Sequence, residues 1–214
     1  IGNIELVYIP FNENMLSRKL VNNPEAIRNY PLFVFSKLYL PNLIPEKKFI
    51  YLDVDSFTFV DLGALYDTPI DNYMVAAVAD PPQYSRLFDR GLKTKFENFY
   101  FNSGVLLVNA ERMRKDNYVD KMEVILENLD SEFFHFGDQD ILNLLYGSQV
   151  FYLSQRWNMI PAFMIENYVY KLKHPFVIQF AGPKPFGKYE SLYRDNNIKE
   201  LSLFYKYNDF ISKL

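Results

Sequence analysis

Lys48-Phe49-Ile50-Tyr51-Leu52-Asp53-Val54-Asp55 is the stretch on which the fold turns. A near-continuous apolar run that ends in acid reads as a strand covered on both faces in a parallel sheet. Two further runs repeat the pattern. Residues 73–79 (YMVAAVA) end at Asp80, after which Pro81-Pro82 stops any continuation. Residues 101–109 form the third, interrupted near its start by Asn102, Ser103 and Gly104, a break that by itself marks a bulge or a close backbone approach. Residues 4–9 and 176–180 read as additional strands. Val119, Met122, Ile125, Leu126 and Leu129 recur at helical spacing, so 118–129 is an amphipathic helix. Residues 138–146 read as another, and 32–40 as an apolar helix that stops at Pro41. Helices alternating with buried strands make an α/β sheet, in which ligands bind outside the carboxyl ends of the strands. Asp53, Asp55 and Asp80 all fall at such ends.

Composition narrows the chemistry. The chain has 214 residues, a length that fits one domain, 1–214, better than two. With 23 Lys and Arg against 26 Asp and Glu, the net charge of −3 offers no global positive field for nucleic acid or an anionic membrane. There is no Cys, which excludes disulfide scaffolds, thiolate metal sites and thiol nucleophiles. The two His, His135 and His174, cannot build a zinc site of three imidazoles, so any metal relies on oxygen ligands and is magnesium, manganese or calcium. No apolar run approaches the roughly 18 residues of a membrane span, and no signal-peptide pattern opens the chain. A soluble, cytoplasmic protein is expected.

Asp53 and Asp55 stand at i and i+2 where a strand runs out. Because side chains alternate faces, both carboxylates project the same way while Val54 points back, and both can reach one cation. Two close carboxylates repel, and a divalent cation keeps both ionised. Hard oxygen ligands with positions left open for a diphosphate suit Mg²⁺ or Mn²⁺. A plainer reading makes Asp53 a strand end and Asp55 the start of a turn. A rival chemistry uses the same letters: haloacid-dehalogenase-type phosphatases begin with Asp-X-Asp, the first as nucleophile and the second as general acid. Phe57, where those enzymes place a small β-branched residue, and the lack of a suitable acid after Gly137-Asp138 weigh against it.

Four segments together resemble glycosyltransferase family 8, which includes bacterial lipopolysaccharide galactosyltransferases and glycogenin. They are Phe49-Ile50-Tyr51-Leu52-Asp53-Val54-Asp55, Tyr100-Phe101-Asn102-Ser103-Gly104-Val105-Leu106-Leu107-Val108-Asn109, Asp138-Gln139-Asp140-Ile141-Leu142-Asn143, and Gln179-Phe180-Ala181-Gly182-Pro183-Lys184-Pro185-Phe186. Arg156-Trp157-Asn158 adds to the likeness. The resemblance implies a single mixed, mostly parallel central sheet of the GT-A kind with helices on both faces. It further implies a retaining transfer from a nucleotide sugar, usually a UDP-hexose, to a glycan or glycoconjugate hydroxyl, with Mn²⁺ or Mg²⁺ as cofactor. Asp53 and Asp55 are then metal ligands. Gly182 lets backbone approach the phosphates, and Lys184 brings them positive charge. Gln139 matches the residue whose amide carbonyl lies beside the reacting sugar carbon, as a dipolar stabiliser. Asp138 and Asn102 match residues that hold donor-sugar hydroxyls, although Asp138 could equally cap the helix that follows it. Asp80 could contact sugar or acceptor, or simply serve a turn.

The chain departs from the family at several positions. The third metal ligand is normally a His, here Gln179, whose carbonyl oxygen is the weaker ligand for a transition metal. A family Arg that meets sugar or phosphate is Lys37, which loses the bidentate fork. Phe186 stands where Trp is usual. Gly2-Asn3-Ile4-Glu5-Leu6 resembles the family's third strand, so the first strands, which cradle the base, are expected to be missing. An exposed sheet edge would favour a homo-oligomer. These departures keep open a degenerate transferase that serves as a non-catalytic binding subunit. A C-terminal helix carrying Leu201, Phe204, Tyr205 and Ile211 is expected to pack on the domain.

Overall fold

The computed structural model describes residues 5–23, 30–80, 100–128, 137–161, 174–182, 184–185 and 205. Six strands are described: β1 (Phe49–Leu52), β2 (Ser56–Thr58), β3 (Val75–Ala79), β4 (Phe101–Val108), β5 (Val150–Tyr152) and β6 (Val177–Gln179). The helices are α1 (Arg18–Val21), α2 (Leu40–Leu43), α3 (Gly63–Tyr66), α4 (Ala110–Lys115), α5 (Tyr118–Asn128) and α6 (Asp138–Tyr146), with 3₁₀ segments at Glu13–Met15, Leu32–Tyr39 and Gln155–Trp157. The four-stranded sheet has the order β1-β4-β3-β5, and β2 with β6 forms a separate antiparallel pair.

β4 pairs antiparallel with both β1 and β3, while β3 pairs parallel with β5. It follows that β1, β3 and β5 all run one way and β4 runs against them from the middle of the sheet. The expected mixed sheet is present. The parallel emphasis holds for strand direction but not for the ladders, because two of the three ladders involve the reversed strand β4. This reversal has a functional consequence. The carboxyl ends of β1 and β3 and the amino end of β4 all meet at one edge, which brings Asp53, Asp80 and Asn102 together.

Side chains alternate across the sheet with the two-residue strand period. Val75, Ala77, Leu106 and Val108 pack with Phe35, Leu38, Met122, Ile141 and Tyr146 on one face. Ala76, Val105 and Leu107 pack with Leu65, Ile70, Trp157 and Val177 on the other. β4 is buried along its whole length, as the apolar run predicts. β1 is not: all four of its residues are half-buried, and among the described residues β4 is its one strand neighbour in the sheet.

Three other expectations change. Residues 32–40 are mostly 3₁₀ rather than α, and the helix does not stop at Pro41. Pro41 has no N–H to give the carbonyl of Lys37, which is taken by Leu40 at the tighter spacing, and Pro41 instead sits in the first turn of α2, where a missing N–H costs nothing. Glu5 to Ile9 form no strand, since no described strand lies alongside to take their hydrogen bonds; Leu6, Val7 and Tyr8 are exposed. The chain also leaves strand geometry at Asp53, whose carbonyl accepts the Ser56 N–H at 3.0 Å, so Val54 sits in an exposed turn. Helices α5 and α6 match the sequence reading. Among the described residues no helix is long and apolar enough to cross a membrane. Phe186, His135 and the C-terminal segment lie outside the described residues, apart from buried Tyr205.

Candidate active site

The strand edge gathers nearly every polar residue singled out in the sequence. Asp53 extends the β1 ladder through its N–H, which donates to the Gly104 carbonyl at 2.8 Å. Its Oδ1 accepts the Tyr51 hydroxyl at 2.7 Å and lies 3.2 Å from the Lys37 ammonium. Its Oδ2 accepts the Gln179 amide at 2.7 Å. Gln179 arrives there because β6 pairs with β2 in the register Ser56 opposite Gln179, directly after the acidic pair. The next residue, Phe180, donates its N–H to the Asp55 carbonyl at 2.9 Å. Gly104 is required by this approach. A Cβ there would fall 2.1 to 2.2 Å from the Gln179 side-chain amide.

Asp55 is held by Lys184, whose ammonium also donates to the Phe180 carbonyl at 2.7 Å. Asp55 Oδ1 and Gln179 Oε1 are both buried and accept no hydrogen bond. Two orphaned oxygen acceptors beside a carboxylate are what a hard cation would satisfy, so Asp53, Asp55 and Gln179 fit an oxygen-ligated Mg²⁺ or Mn²⁺. Groups of three or more acidic, His or Cys side chains able to hold a metal are absent among the described residues. His174 is exposed, with φ of 61°, and its carbonyl accepts from Arg156; it serves the entry to β6.

Lys37 is turned inward. Only 8% exposed, it contacts Asp138 Oδ2 at 2.8 Å, Asp53 Oδ1 at 3.2 Å and both the carbonyl and hydroxyl of Ser103, and its ammonium sits 4.6 Å from the Tyr51 ring centre. A compact ammonium with three donors suits this junction, and its donors are spent on the protein. Asp138 is the first residue of α6, but the cap position belongs to Gly137, at φ 59° with no side-chain cap. The capping role therefore fails. The Asp138 carboxylate bonds Lys37 and the Ser103 hydroxyl, 2.9 Å away. Burial pushes its pKa up, while Lys37 and Ser103 pull it back.

Helix α6 is fixed on β4 by its polar face. Asn143, fully buried, accepts the Phe101 N–H and donates to the Phe101 carbonyl, each at 2.8 Å. Asp140 accepts the Tyr100 hydroxyl at 2.6 Å. One turn before Asn143, Gln139 accepts the Ser103 N–H at 2.9 Å and donates to Asp80 Oδ2 at 2.8 Å. Asp80 Oδ1 accepts from Asn102 at 3.2 Å, and Asn102 Oδ1 accepts the Gly104 N–H at 2.8 Å and the Asn158 amide at 2.7 Å. Gly182 has a φ of 78° and open space where a Cβ would be, so its loop takes a left-handed turn that favours Gly.

The structure thus brings together Lys37, Asp53, Asp55, Asp80, Asn102, Asp138, Gln139 and Gln179, with Lys184 at the rim. Tyr51, Ser103, Asn143 and Asn158 were not given roles from the sequence. Tyr51 carried a signal, standing two residues before Asp53 and so on the same strand face; Asn143, four after Gln139, shares its helix face.

Comparison with known proteins agrees with this geometry. The family model described as Glycosyl transferase family 8 matches residues 3–186. General stress protein A of Bacillus subtilis is 34% identical over 145 residues, covering 66% of this chain and 48% of that protein. Glycosyltransferase GlyB of Streptococcus pneumoniae is 28% identical over 193 residues, covering 84% and 43%. The chain spans about half the length of these curated relatives. The crystal structure of galactosyltransferase LgtC with donor and acceptor sugar analogs superposes with a TM-score of 0.67 at 25% identity, covering 86% of this chain and 71% of that one. An active-site mutant of LgtC in which a Gln is changed to Glu superposes with a TM-score of 0.62.

Proposed function

The chain belongs to glycosyltransferase family 8, and from that premise we propose that it transfers a hexose from a UDP-sugar to a hydroxyl of a glycan or glycoconjugate, with retention of configuration. The observation that carries this reading is the convergence of Asp53, Asp55, Gln139, Asp138 and Lys184 on one edge of the sheet, the edge where open α/β sheets bind ligands.

Each residue has a physical task. Asp53, Asp55 and Gln179 would hold the divalent cation, which when bound supplies Lewis-acid neutralisation of the departing diphosphate. Lys184 is half-buried and stays close to solvent, so it can exchange Asp55 for a diphosphate oxygen. Asp138, buried against Lys37 and Ser103, would accept from a sugar hydroxyl with its remaining lone pairs, and recognition by buried polar groups is the chemistry that discriminates sugars. Gln139 uses one lone pair of Oε1 on the Ser103 N–H, leaving the other to face developing positive charge at the anomeric carbon. A neutral amide is a poor nucleophile, which favours attack by the acceptor from the leaving-group side.

The phosphatase alternative falls with the family assignment. The reading as a non-catalytic binding subunit draws on one observation: Gln179 presents its N–H, not its oxygen, to Asp53. The test is release of UDP from UDP-galactose and UDP-glucose with Mn²⁺, Mg²⁺ or chelator, in the presence of simple glycoside acceptors, for wild type, Asp53→Ala and Gln179→His. Metal-dependent release, lowered at least about 100-fold in Asp53→Ala, with a product that keeps the donor's anomeric configuration by NMR, is expected. Release by Gln179→His alone would point to the binding-subunit reading, and inversion would overturn the retaining mechanism.

A further inference from the structure

A primary amide has two ends of nearly equal shape and opposite polarity. Gln139 can serve a cationic sugar carbon only with its oxygen on the reacting side, so something must decide which way it faces. On one end, Oε1 receives the Ser103 N–H at 2.9 Å; on the other, Nε2 donates to Asp80 Oδ2 at 2.8 Å. An ionised carboxylate only accepts, so it cannot pair with Oε1. A flipped Gln139 would set oxygen against oxygen at Asp80 and N–H against N–H at Ser103.

Asp80 is itself held. Its second oxygen takes the Asn102 amide at 3.2 Å. Asn102 is locked in turn, since its Oδ1 accepts both the Gly104 N–H and the Asn158 amide. The bonds therefore run from Asn158 through Asn102 to Asp80, and from Ser103 through Gln139 to Asp80, with the backbone N–H groups of Ser103 and Gly104 and the carboxylate of Asp80 all demanding the same polarity. Asp80 is 6% exposed, and among the described residues no Lys or Arg pairs with it. A carboxylate buried without a cation is costly, and its two amide donors are its compensation.

We propose that Asp80 is a positioning residue whose ionised carboxylate sets the orientation of the Gln139 amide. This rests on the reading of Gln139 as the group beside the reacting carbon. Burial raises the Asp80 pKa to about 6, against the lowering effect of Gln139 and Asn102. The titratable groups near it among the described residues are Tyr100, raised well above its usual range chiefly by burial, and Asp140, to which Tyr100 donates. Protonation of Asp80 puts a donor where an acceptor is needed, so its hold on the Gln139 amide is present above pH 6 and lost below it, leaving the Ser103 N–H as an orienting bond that does not titrate.

The experiment follows the side-chain NH₂ resonances of Gln139 in the ¹⁵N-labelled full chain from pH 4.5 to 8, assigned by their loss in Gln139→Glu. In wild type they shift with an apparent pKa near 6; in Asp80→Asn they do not. In parallel, kcat for transfer falls below pH 6 with donor KM little changed. Asp80→Asn loses about 100-fold in kcat, and the acid limb disappears. The titration is read in wild type, where through-bond correlation in the ¹³C,¹⁵N-labelled chain assigns the same resonances, so a variant that fails to fold leaves the proposal testable. Gln139 resonances indifferent to pH across this range, or an Asp80→Asn enzyme with wild-type kcat, would overturn it. A Gln139 titration without transfer from any UDP-hexose supports the positioning and removes the proposed function; transfer without titration does the reverse.

Discussion

Gly104 shows how a single residue links the strand to the acidic pair. Its missing side chain is the space in which the Gln179 amide reaches Asp53. Gly104→Ala is relieved by swinging the flexible end of Gln179 away, because that end, not backbone, is what the new methyl meets. The expected stability cost is about 1 kcal/mol, the worth of the lost hydrogen bond, read by urea unfolding. Affinity for Mn²⁺ alone, titrated separately, should fall several-fold, whereas unchanged affinity would remove Gln179 from the metal set. The types of the site residues were legible in the sequence, because acid at a strand end and amide at a helix start are local patterns. Their partners were not. Lys37 was read as a donor contact, yet it lies beneath Asp53 and Asp138, a placement that depends on a 3₁₀ segment docking across the sheet.

At the scale of elements, the buried strands β3 and β4 and the helices α5 and α6 followed from apolar runs and helical spacing. The edge position of β1 did not, since a half-buried strand and a fully buried one can share the same apolar letters. Nor did the reversal of β4, which is a matter of pairing between segments far apart in sequence. What fixes α6, and with it Asp138 and Gln139, is the Asn143 amide on the first residue of β4. Asn143→Leu keeps the volume but leaves the Phe101 N–H and carbonyl buried without partners. Two such groups cost about 3 kcal/mol together, visible as a lower urea midpoint. A midpoint equal to wild type would mean that packing alone seats the helix.

Over the whole molecule, a chain of net charge −3 concentrates four carboxylates at one edge of its sheet and offsets them unevenly. Asp53 and Asp138 share Lys37, Asp55 holds Lys184, and among the described residues Asp80 is met by amide donors without a cation. Without Cys and with two His, any metal centre in this chain would have to rely chiefly on oxygen ligands. On the proposed function, this uneven offset would suit a diphosphate at Lys184 and a divalent cation at Asp55 and Gln179 Oε1. Calorimetric titration of UDP into the wild-type chain and into Asp55→Ala, each with and without Mn²⁺, tests this most directly. The account predicts binding of UDP to wild type only when Mn²⁺ is present, and loss of that binding in Asp55→Ala; UDP binding that ignores both the metal and the substitution would contradict it.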